Sequence, residues 1–95
     1  MTGKQKRYLR SLAHPLKPVV NFGKHGISNE LKSEIVFHLH DHELIKCKVL
    51  GNCPLSKEEC VKEISKMKSI EIVQIIGKTI IIFSRNTKNP KIKFP

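Results

Sequence analysis

Tryptophan is absent and tyrosine occurs once, so with four phenylalanines the 95-residue chain has few rings on which a nucleobase could stack. The strand-like segments also lack the spaced aromatics with which an RRM reads single-stranded bases, which excludes that module. Acid is missing from both ends: residues 1–27 and 85–95 contain no Asp or Glu. No apolar run reaches the roughly 18 residues of a membrane span. The opening "MTGKQKRYLRSL" is basic but lacks the apolar core of a secretory signal. Cys47, Cys53 and Cys60 are spaced C-x5-C-x6-C, without the C-x2-C knuckle of structural zinc sites. An odd count with no signal argues for a reducing, cytoplasmic setting, and the three are expected to be small hydrophobes or surface thiols.

What is present is charge, and it is segregated. The net charge is +10 from 18 basic and 8 acidic residues. Residues 28–84 balance eight bases against eight acids, so the whole excess sits at the two ends. Lys4, Lys6, Arg7, Arg10, Lys17 and Lys24 occupy the first, and Arg85, Lys88, Lys91 and Lys93 the last. Solubility alone needs no such segregation, whereas a footprint for a polyanion does.

The periodicities give a single domain with the order α-β-α-β-α-β-β. Thr2 and Gln5 make a capping box for a first helix reaching Ala13, with Tyr8, Leu9, Leu12 and Ala13 as its apolar stripe. "HPLKP" ends it, since a residue before proline is disfavoured in a helix. "VVNF" follows as a strand. Ser28 is the expected cap of a second helix, whose Leu31, Ile35 and Leu39 recur every four residues as far as His42. "LIKCKVL" alternates as a half-buried strand. Ser56 and Glu59 form a second capping box before a helix with Cys60, Ile64 and Met67 on its buried side. Gly77-Lys78 then joins two β-branched runs in a type II′ hairpin. Parallel crossovers plus a hairpin predict a mixed four-stranded sheet packed on helices.

No constellation supports catalysis. "GKT" at 77–79 imitates the end of a P-loop, but Ile72 stands where that motif needs glycine, and a strand follows instead of a helix. Ser11, Ser28 and Ser33 lack a nucleophile elbow. "HLHDH" places His38 and His42 on one helical face, with His40 between them, yet supplies no further ligands and no HExxH. A histidine-dependent metalloenzyme acting on RNA is thus an alternative without a complete donor set. The sequence calls for no cofactor.

"NFGKHGIS", residues 21–28, carries more weight. A strand enters a G-x-x-G turn that opens a helix. Gly23 and Gly26 allow positive φ and close backbone approach, the first helical amides point outward, and Lys24 and His25 sit at the tip. KH domains clamp a nucleic-acid backbone with such a loop. The basic first segment makes that reading stronger than two glycines alone would.

Three stretches, "LAHPLKPVVNFGKHGIS" (12–28), "HELIKCKV" (42–49) and "VQIIGKTIIIF" (73–83), give the chain a resemblance to the CRM domain, the chloroplast RNA splicing and ribosome maturation family, in its stand-alone bacterial YhbY-type form. The resemblance implies a fold related to the C-terminal domain of a bacterial translation initiation factor. It also implies binding to RNA, in particular to precursors of the large ribosomal subunit, with Gly23, Lys24, His25 and Gly26 as the contacting loop. The family commonly follows the last strand with an aromatic–Arg pair, whereas here Ser84 separates Phe83 from Arg85. The expectation is therefore a CRM-type domain over 1–84 with a basic tail over 85–95. It binds RNA as a monomer, through the loop together with Lys4, Lys6, Arg7, Arg10, Lys17 and Arg85. Lys46 and Lys48 are secondary candidates. A general DNA-compacting protein is the alternative, and membrane binding is disfavoured because the basic helix needs its apolar stripe for the core.

Overall fold

The computed structural model describes residues 1–95. Its elements are α1 (Gly3–Ala13), β1 (Pro18–Phe22), α2 (Asn29–His42), β2 (Leu44–Val49), α3 (Lys57–Ser65), β3 (Glu71–Ile76) and β4 (Thr79–Phe83), in the order expected. Local chemistry explains the boundaries. Thr2 accepts from the Gln5 amide at 3.1 Å while Gln5 Oε1 accepts from the Thr2 amide at 3.0 Å. Ser56 and Glu59 repeat this reciprocal box at 3.1 and 2.9 Å. Ser28 Oγ accepts from the Leu31 amide at 3.2 Å. Gly77 takes φ +56 while Lys78 stays out of the positive-φ region, as a II′ turn between Ile76 and Thr79 requires.

The sheet is mixed and four-stranded, in the order β1-β2-β4-β3. β1 and β2 are parallel, and β4 is antiparallel to both of its neighbours. The β2–α3–β3 connection steps over one position, which β4 then fills. β4 is buried on both faces and is apolar at four of its five positions, the pattern of a central strand. Ile80 and Ile82 join the larger core with Ile35 and Leu39 of α2 and Cys60 and Ile64 of α3. Ile81 and Phe83 point the other way, into a smaller core with Leu9 and Ala13 of α1. Helices thus cover both faces, two on one side and α1 alone on the other. Cys47 and Cys60 are buried and Cys53 is half-buried, so the cysteines act as apolar fillers.

The residues after β4 form no regular element, yet they are tied down by one side chain. Glu43, between α2 and β2, is fully buried. Its Oε1 accepts from the amides of Lys91 and Ile92, and its Oε2 from that of Asn86, each at 2.7 Å. Its own carbonyl accepts from the Ser84 amide at 2.9 Å. Arg85 Nη1 lies 3.6 Å from Oε2 and donates to the Ile92 carbonyl at 2.7 Å. Glu43 holds φ +61, a left-handed conformation that a non-glycine residue keeps only where its surroundings impose it. Here they do, because the backbone must turn sharply out of α2 to aim the carboxylate at the tail. Asn86 adds a turn, its Oδ1 accepting from the amides of Lys88 and Asn89 at 3.2 and 3.1 Å. Ile92 and Phe94 then pack beside Leu12 on the smaller core, with Lys91 and Lys93 exposed in alternation with them.

Burial alone would raise the Glu43 pKa, but the amides of Asn86, Ile92 and Lys91, with the Arg85 charge, outweigh it and hold the carboxyl below its ordinary value. A lowered carboxyl pKa contributes stability above its unfolded-state value, and that contribution is lost as pH falls through the folded-state value. Glu43→Gln, which swaps one acceptor oxygen for a donor, is expected to cost about 2–4 kcal/mol in urea unfolding at neutral pH. The gap to wild type should narrow as pH is lowered below about 4.5. Burial also pushes the Cys47 and Cys60 thiols up to about 12. A thiol reagent should accordingly label Cys53 in the folded protein and reach the other two only on unfolding.

Candidate nucleic-acid interface

The parallel pairing of β1 and β2 brings their C-terminal ends to one edge of the fold. The Leu50 amide donates to the Phe22 carbonyl at 2.9 Å, and the Val49 amide to the Lys78 carbonyl at 2.8 Å. The Gly23–Gly26 loop, the Leu50–Leu55 segment and the Gly77-Lys78 turn therefore sit side by side. Lys24 and His25 project from this end, both exposed. Behind them the Gly26 amide donates to the Gly23 carbonyl at 2.9 Å, closing a tight turn. The amides of Asn29 and Glu30, first in α2, have no acceptor within the protein. They add donors and the positive end of the helix dipole behind the tip.

The two glycines are not equivalent. Gly26 is buried with φ +62, and a Cβ there would lie 3.6 Å from Pro54 Cγ. Gly23 does not take the positive φ that the motif allowed it. A Cβ at Gly23 would meet Asn52 Oδ1 at 3.7 Å and Leu50 Cδ1 at 3.8 Å, ordinary contacts. The fold therefore requires glycine at 26 but not at 23.

The charged ends converge. Tyr8 of α1 lies 5.9 Å from Phe94, ring to ring, and Leu12 and Ile92 pack on the same small core. The acid-free first and last segments, remote in sequence, thus become neighbours on one face of the sheet. Lys4, Arg7 and Arg10 are exposed and Lys6 is half-buried. The helical period sets Lys6 and Arg10 on the flank of α1 opposite Tyr8 and Leu12, away from the tail. Lys48, exposed and in register with Asn21 and Thr79, lies on the same sheet face. Lys46 is engaged in the fold, its Nζ donating to the His14 carbonyl at 3.2 Å at the C-terminal end of α1. Six of the eight acids lie on α2 and α3, across the sheet.

Arg85 stands apart from the loop. Phe83 pairs with Leu44 at the start of β2, so Arg85 is at the end of the sheet opposite Gly23–Gly26, about 15–20 Å away along a five-residue strand. Its guanidinium lies 5.6 and 5.2 Å from the ring centroids of Phe83 and Phe94, against Glu43, with its side chain 35% exposed. Lys17, exposed, precedes β1 at that same end. Lys91 and Lys93, read from the sequence only as part of the basic tail and not as contact residues, join the basic face. The alternation in "KIKF" was a legible signal for them, but only once a surface was known for Ile92 and Phe94 to cover. His38 and His42 stack 6.5 Å apart on α2, and no third His, Cys, Asp or Glu is grouped with them. In thermal unfolding, Gly26→Ala is expected to cost about 1–2 kcal/mol for the forced left-handed backbone. Gly23→Ala should stay within about 0.5 kcal/mol of wild type.

Residues 1–84 match the family model for the CRS1 / YhbY (CRM) domain. The chain is 39% identical over 95 residues to YqeI of Bacillus subtilis, named a probable RNA-binding protein, covering all of this chain and 99% of that one. It is 36% identical over 95 residues to a protein of Haemophilus influenzae named RNA-binding protein, covering all of this chain and 95% of that one. It also superimposes on the solution structure of a hypothetical protein from Staphylococcus aureus with TM-score 0.79 and 42% identity, covering 100% of this chain and 99% of that one. Motif order, fold and full-length similarity agree, and the chain belongs to the CRS1 / YhbY (CRM) domain family.

Proposed function

We propose that this protein is a non-enzymatic RNA-binding module that engages precursor large-subunit ribosomal RNA during ribosome assembly, acting as a monomer. The observation that carries the reading is the meeting of the two acid-free ends on one face. α1 and the tail there set Lys4, Lys6, Arg7, Arg10, Lys91 and Lys93 around a single side of the sheet. The Gly23–Gly26 loop supplies a second, more directional element. Its free helical amides and Lys24 suit a phosphate. Arg85 serves this surface by holding the tail on α1.

Five aromatic residues, with Phe22 and Phe83 in the cores, leave little for stacking, so recognition rests mainly on phosphates and RNA shape. The ribosomal target is what membership of the family's stand-alone bacterial branch implies.

Binding to precursor large-subunit RNA and to duplex DNA in matched salt series tests the reading. For the wild type, log K should fall with log salt at a slope of about −4 to −6, and RNA should be preferred at equal salt. A Lys24→Asp, His25→Asp variant, shown by circular dichroism to fold, should lose RNA affinity about tenfold or more. Lys24→Ala alone should make the slope shallower by about 1. Equal affinity of wild type and double variant for both polymers would assign binding to the charged ends alone and favour a general nucleic-acid binder.

A further inference from the structure

α1 covers only part of its face of the sheet, and beside its C-terminal turn lies a groove of about 420 Å³. Leu12, Leu16, Val19 and Ile92 line it, with Lys17 and Lys46 at its sides. Leu16 and Val19 are 39% and 40% exposed, large apolar side chains left open beside Lys17 and Lys46. No acid lines the groove. Its floor adjoins β1, an edge strand whose register to β2 slips between Pro18 and Val20.

We infer that this groove takes one unstacked nucleotide of a single-stranded RNA segment, its base against Leu12, Leu16, Val19 and Ile92 and its phosphates beside Lys17 and Lys46. The inference rests on the RNA-binding reading and adds a place where a base, rather than the backbone, is held. Charge complementarity carries the choice of occupant. An apolar cleft flanked by two lysines, with no acid in its lining, suits a ligand with a flat, weakly polar body and a negative backbone. The volume accommodates a single nucleoside, not a helix. The other occupant that an edge strand invites is a peptide adding to the sheet, and β1 is poorly made for that. Pro18 offers no N–H, and the slipped register at Val19 interrupts the ladder a new strand would extend. A fully paired duplex has no free base to offer and would use only the cationic surface.

The test compares a ten-nucleotide oligouridylate with a fully paired RNA duplex, for wild type, Leu16→Asn/Val19→Thr and Lys24→Asp/His25→Asp. The groove substitutions are charge-neutral and sit at partly exposed positions, and circular dichroism checks folding. The groove variant is expected to lose about fivefold or more in affinity for the oligouridylate, from lost apolar contact, with duplex binding changed less than twofold. The loop variant should weaken both. As a second measurement that needs no variant, 4-thiouridine in the oligonucleotide should crosslink within residues 12–19 of the wild type. Equal losses on both RNAs, no loss on either, or crosslinks confined to Lys24 and His25 would overturn the groove while leaving RNA binding standing. Failure of the wild type to bind either RNA would remove the RNA-binding reading itself, and the groove with it.

Discussion

One buried carboxylate decides what the basic face of this protein looks like. Three backbone amides from the last ten residues converge on Glu43 and, with Arg85, satisfy a charge taken out of water. Without those bonds the tail has no helix or strand to order it, and only side-chain packing and Arg85 would hold Ile92 and Phe94 against α1. With them, the small core gains two apolar side chains, and Lys91 and Lys93 are delivered to a fixed place. The neighbouring Arg85 is shared among Glu43, the Ile92 carbonyl and two phenylalanine rings. Its charge compensates the acid, so the anchor leaves the rest of the face cationic.

The sheet acts as a partition for charge. The layer of α2 and α3, with six acids against three lysines, lies on one side, and α1 with the tail on the other. A polyanion approaching such a body meets a field with a direction, and orientation before contact raises the fraction of productive encounters. The loop at Gly23–Gly26 lies at the end of the sheet rather than on its face, so the two basic elements point in different directions.

Much of this was legible in the chain. Thr2 with Gln5, and Ser56 with Glu59, announced helix starts because a capping box is a local device needing only four residues. The Gly77-Lys78 turn and the recurrence of Ile35 and Leu39 were likewise local. The position of β4 was less so: its apolar run suits a strand buried on both faces, but "EIVQII" is nearly as apolar, and which of the two lies inside depends on partners far away in the chain. Glu43 escaped notice for a related reason. It stands beside Asp41 in a polar helix end, and its partners are more than 40 residues away and are backbone amides, which have no sequence signature. The G-x-x-G spacing was visible, but the different demands on its two glycines were not. Those depend on the neighbouring segment that carries Pro54 and Leu55.

The place of β4 also governs how the chain acquires its structure. It is the last strand in sequence and lies at the middle of the sheet, contributing Ile80 and Ile82 to one core and Ile81 and Phe83 to the other. Until it docks, β2 and β3 lack their shared neighbour and neither hydrophobic layer can close. A chain interrupted before Thr79 therefore lacks the strand that both cores share. Folding waits on the final fifth of the polypeptide, and once β4 enters, both faces are completed by the same event.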